Sequence, residues 1–139
     1  SGRCRCTPAQ VKRYLGKLSG PMLDRIDLFS EVPPLEFENL ADRSPGEPSA
    51  AIRARVTKAR ERQSKRFGPD GPHCNAAMGQ AEIRRFCALD DEGQALMKGA
   101  YEHMGLTARS YDRILRVART IADLDESENI QTHHLAEAI

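Results

Sequence analysis

The chain has 139 residues, of which 40% are apolar and 29% charged, with 21 basic and 20 acidic side chains that nearly cancel. That length suits one domain and hardly two, no run approaches the roughly 18 apolar residues of a spanning helix, and the start SGRCRCTPAQ lacks the apolar stretch of a secretory signal. With no Trp, 5% aromatic residues and a net charge of +1, neither a base-stacking platform nor a global field toward nucleic acid is expected; a cytoplasmic, mostly helical domain without membrane contact remains.

Taken in chain order, Thr7 with Pro8 and Gln10 forms a capping box with proline at the first helical position. It predicts a helix with Val11, Tyr14, Leu15 and Leu18 on one face. Ser19-Gly20-Pro21 stops that helix and opens a short second one over residues 22–26. Asp27 to Val32 reads as a strand closed by Pro33-Pro34. One strand is not a sheet, so it is either a hairpin edge or has its partners elsewhere. Residues 38–48 form a polar linker.

Ser49 is then expected to cap a long helix ending at Gly68. It carries Arg53, Arg55, Lys58, Arg60, Arg62, Lys65 and Arg66 against the single acid Glu61, with Ile52, Val56 and Ala59 facing inward. Residues 68–79, rich in Gly and Pro, are expected to be a mobile loop. A helix over about 80–88 turns Ile83, Phe86 and Cys87 inward. Another runs from an Asp90 cap to Met104, with Leu96, Met97 and Ala100 inward and Gly105 closing it. Thr107 caps ARSYDRILRVARTIADL, whose stripe is Tyr111, Ile114, Leu115, Ala118, Ile121, Ala122 and Leu124. Thr132 is expected to cap a last helix that stops abruptly, which together with the lone strand suggests a piece of a larger protein.

The four cysteines do not read as a disulfide scaffold in so long and charged a chain; Cys87 reads as a small core residue. The sequence has no GxxxxGK[ST] phosphate loop, no GxGxxG and no GxSxG. His133 and His134 are adjacent, so a helix points them about 100° apart. That is a poor arrangement for one metal, and both read as surface residues. The chain alone therefore lacks a complete catalytic site.

Two blocks carry a family resemblance. Residues 19–28, SGPMLDRIDL, with the strand and proline pair after them, resemble the end of the ATPase core in magnesium-chelatase-like AAA+ proteins. Residues 107–124 resemble the signature of the family's C-terminal helical lid, and GEPSAAIRARVTKARERQ is similar to its linker and first lid helix. Within the family the likeness is to the competence-associated members rather than to the chelatase subunit of chlorophyll synthesis. The resemblance implies a mainly α fold, with a lid bundle over 49–139, a linker over 38–48, and residues 1–37 as an α/β remnant of the nucleotide core. It also implies a hexameric ring of identical subunits that uses ATP and Mg2+ and moves DNA as a branch-migration helicase. The chain would be its C-terminal portion, without the Walker motifs.

By the same resemblance Arg25 is the arginine finger, a role that needs an always-charged group able to hold two oxygens. From the residues alone, Arg25 reads as an ion pair with Asp24 or Asp27. Arg109, in the first turn of its helix, corresponds to sensor 2, which touches the γ-phosphate. Arg113 and Arg116 share its face and read as solvated, pairing with Asp112 and Asp123. Cys4 and Cys6 could be half of a zinc site whose other pair lies upstream in relatives, with Cys74 and His73 as weaker completing ligands. The basic helix reads as a solvated lid face. The alternative is a helical DNA- or protein-interaction module that contacts phosphates through Arg53, Lys58 and Arg60, with salt-dependent affinity.

Overall fold

The computed structural model describes residues 5–23, 25–32 and 46–139. The chain divides into two compact units, Ser1–Val32 and Pro33–Ile139. The expected linker positions 38–45 and the Pro33-Pro34 closure lie outside the described residues.

In the first unit, α1 (Pro8–Leu15) begins at the expected capping box. The Thr7 hydroxyl accepts from the Gln10 amide at 3.4 Å, and the Gln10 side chain accepts from the Thr7 amide at 2.8 Å. The second helix, α2 (Gly20–Leu23), starts and stops earlier than residues 22–26. Ser19 supplies a hydroxyl to the Met22 amide at 3.3 Å, and Pro21 fits the first turn. Arg25 and Ile26 follow in tight turns on the Met22 and Leu23 carbonyls. The strand expected from Asp27 to Val32 does not form. A strand is held by ladder bonds to a neighbour, and no described residue supplies one. Its apolar side chains are accordingly bare, with Leu28 and Phe29 each 72% exposed and Val32 86%. The α1 stripe of Val11, Tyr14, Leu15 and Leu18 is exposed as well.

The second unit opens with α3 (Ser49–Phe67). Pro48, not Ser49, occupies its N-cap: its ψ of 139° is still extended, Ser49 is the first helical residue, and no side chain caps this end. Gly68 ends α3 at φ +69°, a conformation that favours glycine. Only Ala59 and Gln63 of α3 are buried; Ile52 and Val56, expected inward, stand out. The stretch 68–79 is anchored rather than loose. It contains a 3-10 turn (Asn75–Ala77), and Asn75 and Met78 are buried to 1% and 2% exposure.

Next come α4 (Gln80–Phe86), α5 (Asp91–Met104) and α6 (Ala108–Leu124). The Asp90 and Thr107 caps are in place: Asp90 accepts from the Gly93 amide at 2.8 Å and Thr107 from the Ser110 amide at 3.2 Å. Gly105 ends α5 in the left-handed region. The last helix, α7 (Thr132–Ala138), is capped from Gln131, not Thr132. The His134 ring, at the third helical position, reaches back and accepts from the Gln131 backbone amide at 2.9 Å.

Helix α6 is the hub: α3, α4, α7 and the 3-10 turn pack against it, while α5 packs on α7. Ala118 and Ala122 are fully buried on α6, and their small side chains let the neighbouring backbones come close. Around them Met78, Ile83, Cys87, Met97, Leu115, Ile130 and Leu135 fill one core. Burial pushes the Cys87 thiol up to about 11, so it packs as an inert apolar group. Tyr111, at the start of the α6 stripe, remains 37% exposed. Leu115→Ala should therefore cost about 2–5 kcal/mol in urea denaturation, and Tyr111→Ala clearly less; equal losses would contradict this assignment of the core.

Candidate functional site

The polar centre of the second unit lies at the C-terminal end of α6. Asp123 is fully buried, and Arg119, one turn earlier, is 2% exposed. Arg66 of α3 grips both carboxylate oxygens of Asp123, at 2.8 Å from Nη1 to Oδ2 and again from Nη2 to Oδ1. The Arg119 Nη2 lies 3.1 Å from Oδ1. Asn75 donates its amide to Asp123 Oδ2 at 2.8 Å and to the Thr120 hydroxyl at 3.1 Å, and accepts from Arg66 at 3.1 Å. Arg119 also donates to the Ser127 and Glu128 carbonyls, both at 2.8 Å. Burial alone would raise the Asp123 carboxyl. The hydrogen bonds from Arg66 and Asn75 and the nearby Arg119 charge outweigh it and hold the carboxyl below its ordinary value. Burial also lowers the Arg119 guanidinium, partly offset by Asp123. Asp123 and Arg116 were expected to pair on a solvated face. Asp123 is instead sealed in this cluster, and the half-buried Arg116 donates to the Met78 carbonyl at 2.8 Å. Asp112 accepts from the Gln80 side chain.

Arg109 stands in the first turn of α6, exposed, with no hydrogen bond or ion pair among the described residues. The first turn of α6 holds no acid, so the positive end of the helix dipole is left unneutralised beside it. Arg25 is exposed on the turn after α2, and its Nη1 donates to the Pro21 carbonyl at 2.8 Å. Asp24, one of the two ion-pair partners expected for Arg25 beside Asp27, lies outside the described residues, as does Cys4. Cys6 is exposed, Cys74 half-buried and His73 exposed.

The two histidines part company. His133 is on the surface as expected, but His134 is 1% exposed. Asp125 Oδ2 lies 3.1 Å from His134 Nε2 and 3.6 Å from His133 Nε2. These three could bracket a cation by distance, but hydrogen bonding argues otherwise. The His134 Nδ1 accepts from the Gln131 amide at 2.9 Å, so Nε2 carries the proton and donates to Asp125. A metal on Nε2 would move that proton to Nδ1, against the Gln131 N–H. The group is a helix cap. The His134 hydrogen bond, with the nearby His133 ring, holds Asp125 below the usual carboxylate range.

Along α3, several cations are already neutralised. Arg55 binds Glu47 through both nitrogens at 2.8 and 3.1 Å. Lys58 binds Glu126 at 3.0 Å, with Arg62 at 3.9 Å from the same carboxylate. Of the three residues considered for nucleic-acid contact, Lys58 is thus engaged, while Arg53 and Arg60 have no partner among the described residues. Asn75 and Arg66 escape sequence reading, since nothing local links positions 66, 75 and 123.

The mainly helical second unit, built on α6 and matched by the family model over residues 46–139, is a C-terminal helical lid domain of the AAA+ type. The chain belongs to the family described as "Magnesium chelatase, subunit ChlI C-terminal", which matches residues 46–139; the companion description "Magnesium chelatase, subunit ChlI" matches residues 1–40. Among similar proteins, the uncharacterized protein YifB of Escherichia coli K12 is 47% identical over 137 residues, 97% of this chain and 26% of that protein. Competence protein ComM of Haemophilus influenzae is 46% identical over 138 residues, again 97% of this chain and 26% of the relative. An uncharacterized protein of Mycobacterium bovis is 37% identical over 121 residues, 87% of this chain and 24% of that protein. The chain thus spans about a quarter of the length of these relatives.

Removing Arg66 would leave the buried Asp123 carboxylate to Arg119 and Asn75 alone, so Arg66→Met should cost up to about 3–5 kcal/mol in urea denaturation at pH 7. Because the folded Asp123 value lies below the unfolded value of about 3.9, the cluster's contribution is complete above that pH. It is lost as pH falls through the folded value. The difference between wild type and Arg66→Met should therefore shrink on acidification below pH 4; a constant difference would contradict the pairing.

Proposed function

We propose that the chain is the C-terminal arm and lid of a magnesium-chelatase-like AAA+ ATPase. In this reading identical subunits form a hexameric ring, hydrolyse ATP with Mg2+ at their interfaces and act on DNA. The family match over 46–139, with Arg109 bare in the first turn of the hub helix, is what supports it. ComM carries the word competence in its name, which is the motive for the DNA-motor part of the proposal. Arg109 acts as sensor 2: an exposed, always-charged guanidinium at a helix N-terminus is suited to phosphate oxygens. Arg25 acts as the finger, neutralising charge that develops on the transferred phosphoryl group of a neighbour's nucleotide. ATP with Mg2+ supplies that phosphoryl group and its metal clamp; this chain's part is to place two cations and to carry the lid.

Two measurements test the roles in the full-length protein. Arg25→Ala should leave nucleotide affinity nearly unchanged while removing most turnover, because a finger acts on the transition state more than on the ground state; the loss can reach about 10³-fold or more. Arg109→Ala should lower turnover and also weaken nucleotide binding. If Arg25→Ala instead melts earlier and hydrolyses normally per folded ring, Arg25 is a structural residue. The 139-residue chain alone, which has no phosphate loop, should show no Mg2+-dependent ATP turnover above blank.

A further inference from the structure

Helix α3 carries an apolar stripe whose N-terminal half, Ile52 and Val56, nothing in the described residues covers. Ile52, Val56 and Ala59 recur at helical spacing, with the polar Gln63 next in line; Ala59 and Gln63 are buried, yet Ile52 is 40% and Val56 44% exposed. At its inner end the stripe runs into a cleft of about 280 Å³ between α3, the 3-10 turn and α6. Val56, Ala59, Arg60, Ala76, Thr120 and Leu124 line it.

The charges flanking the stripe are asymmetric. On one side most of the basic residues have a carboxylate, Arg55 with Glu47, Lys58 and Arg62 with Glu126, and Arg66 with Asp123, while the exposed Lys65 lies farther round, at the back of the helix. On the other side stand Arg53 and Arg60, both exposed and without a partner among the described residues. They are seven residues apart, two helical turns, so they share a face about 10 Å apart.

We infer that this surface docks an acidic amphipathic helix of another protein, with an aliphatic side chain in the cleft and two carboxylates two turns apart against Arg53 and Arg60. The chemistry favours a peptide over nucleic acid. A phosphodiester backbone has nothing to place in an apolar cleft, and beyond the stripe it would meet Glu126. Two free cations would release few counterions, giving a salt slope of only about −2 on duplex DNA. A helix laid in a groove instead uses both the apolar anchor and the flanking charge.

The test uses the 139-residue chain and a labelled, helix-favouring 15-residue peptide with two Glu residues seven positions apart on either side of a central Leu, read by fluorescence anisotropy. Saturable binding is expected, weakened at least tenfold by Arg53→Glu with Arg60→Glu. A peptide with both Glu residues changed to Lys should regain binding to that double variant. Val56→Asp, or Leu→Asp in the peptide, should abolish binding, with melting curves confirming that each variant is folded. No saturable binding at hundreds of micromolar peptide, or binding indifferent to the charge swap, overturns the inference. So does a 20-base-pair DNA duplex that binds through Arg53 and Arg60 more tightly than the peptide.

Discussion

A carboxylate with no exposure to water cannot remain charged unless cations and donors reach it, and the lid is arranged around meeting that demand at Asp123. Arg66 comes from α3, Asn75 from the 3-10 turn and Arg119 from the same helix one turn back. Leaving the Asp123 carboxylate without a cation in the interior would cost several kcal/mol, and the cluster meets that demand even though Arg119 Nε is itself left without a hydrogen-bond partner among the described residues. The cluster therefore tolerates one register of α3 against α6 and one placement of the 68–79 stretch. Apolar packing alone would allow more, since hydrophobic contact is not directional. Arg119 extends the constraint to the chain beyond α6 by holding the Ser127 and Glu128 carbonyls, which fixes where α7 begins. The His134 cap on Gln131, braced by Asp125, finishes that corner.

The cluster also sorts the lid into a fixed end and a free end. Near Asp123 the α6 side chains are sealed, and Ala118 and Ala122 have no exposure. Toward its N-terminus, Tyr111 is partly bare, as are Tyr101 and Met104 near the end of α5. Arg109 sits at that looser end with the unneutralised helix dipole beside it. For a residue proposed to sense a phosphate group, this is a useful division. A rigid anchor sets the direction of α6, while the arginine at its tip is free to meet a ligand.

Much of this was readable because helix ends are written locally. Thr7 with Gln10, Asp90, Gly105 and Thr107 sit where their side chains or backbone freedom act within three or four residues. The misreadings share a cause. Ser49 and Thr132 looked like caps, but each is the first helical residue and the N-cap lies one position earlier, at Pro48 and Gln131. The apolar run after Asp27 looked like a strand, yet strand formation depends on a neighbour that no local pattern encodes. Ile52 and Val56 kept helical spacing, which reveals an amphipathic face without revealing whether this chain covers it. Arg66 and Asp123 are 57 positions apart, and nothing near either announced the pair. His134 looked exposed because the sequence does not show that its ring turns back to the Gln131 amide.

The proposed role of Arg25 rests on a cation crossing from one subunit to the nucleotide of the next, and subunit mixing addresses that crossing most directly. One full-length variant would carry Arg25→Ala with an intact phosphate loop, and the other a disrupted loop with Arg25 intact. Each should be inactive alone. If Arg25 acts in trans, mixed rings should regain ATP hydrolysis at interfaces that pair an intact loop with an intact Arg25. If mixtures that demonstrably exchange subunits remain as inactive as the separate variants, the finger assignment is contradicted.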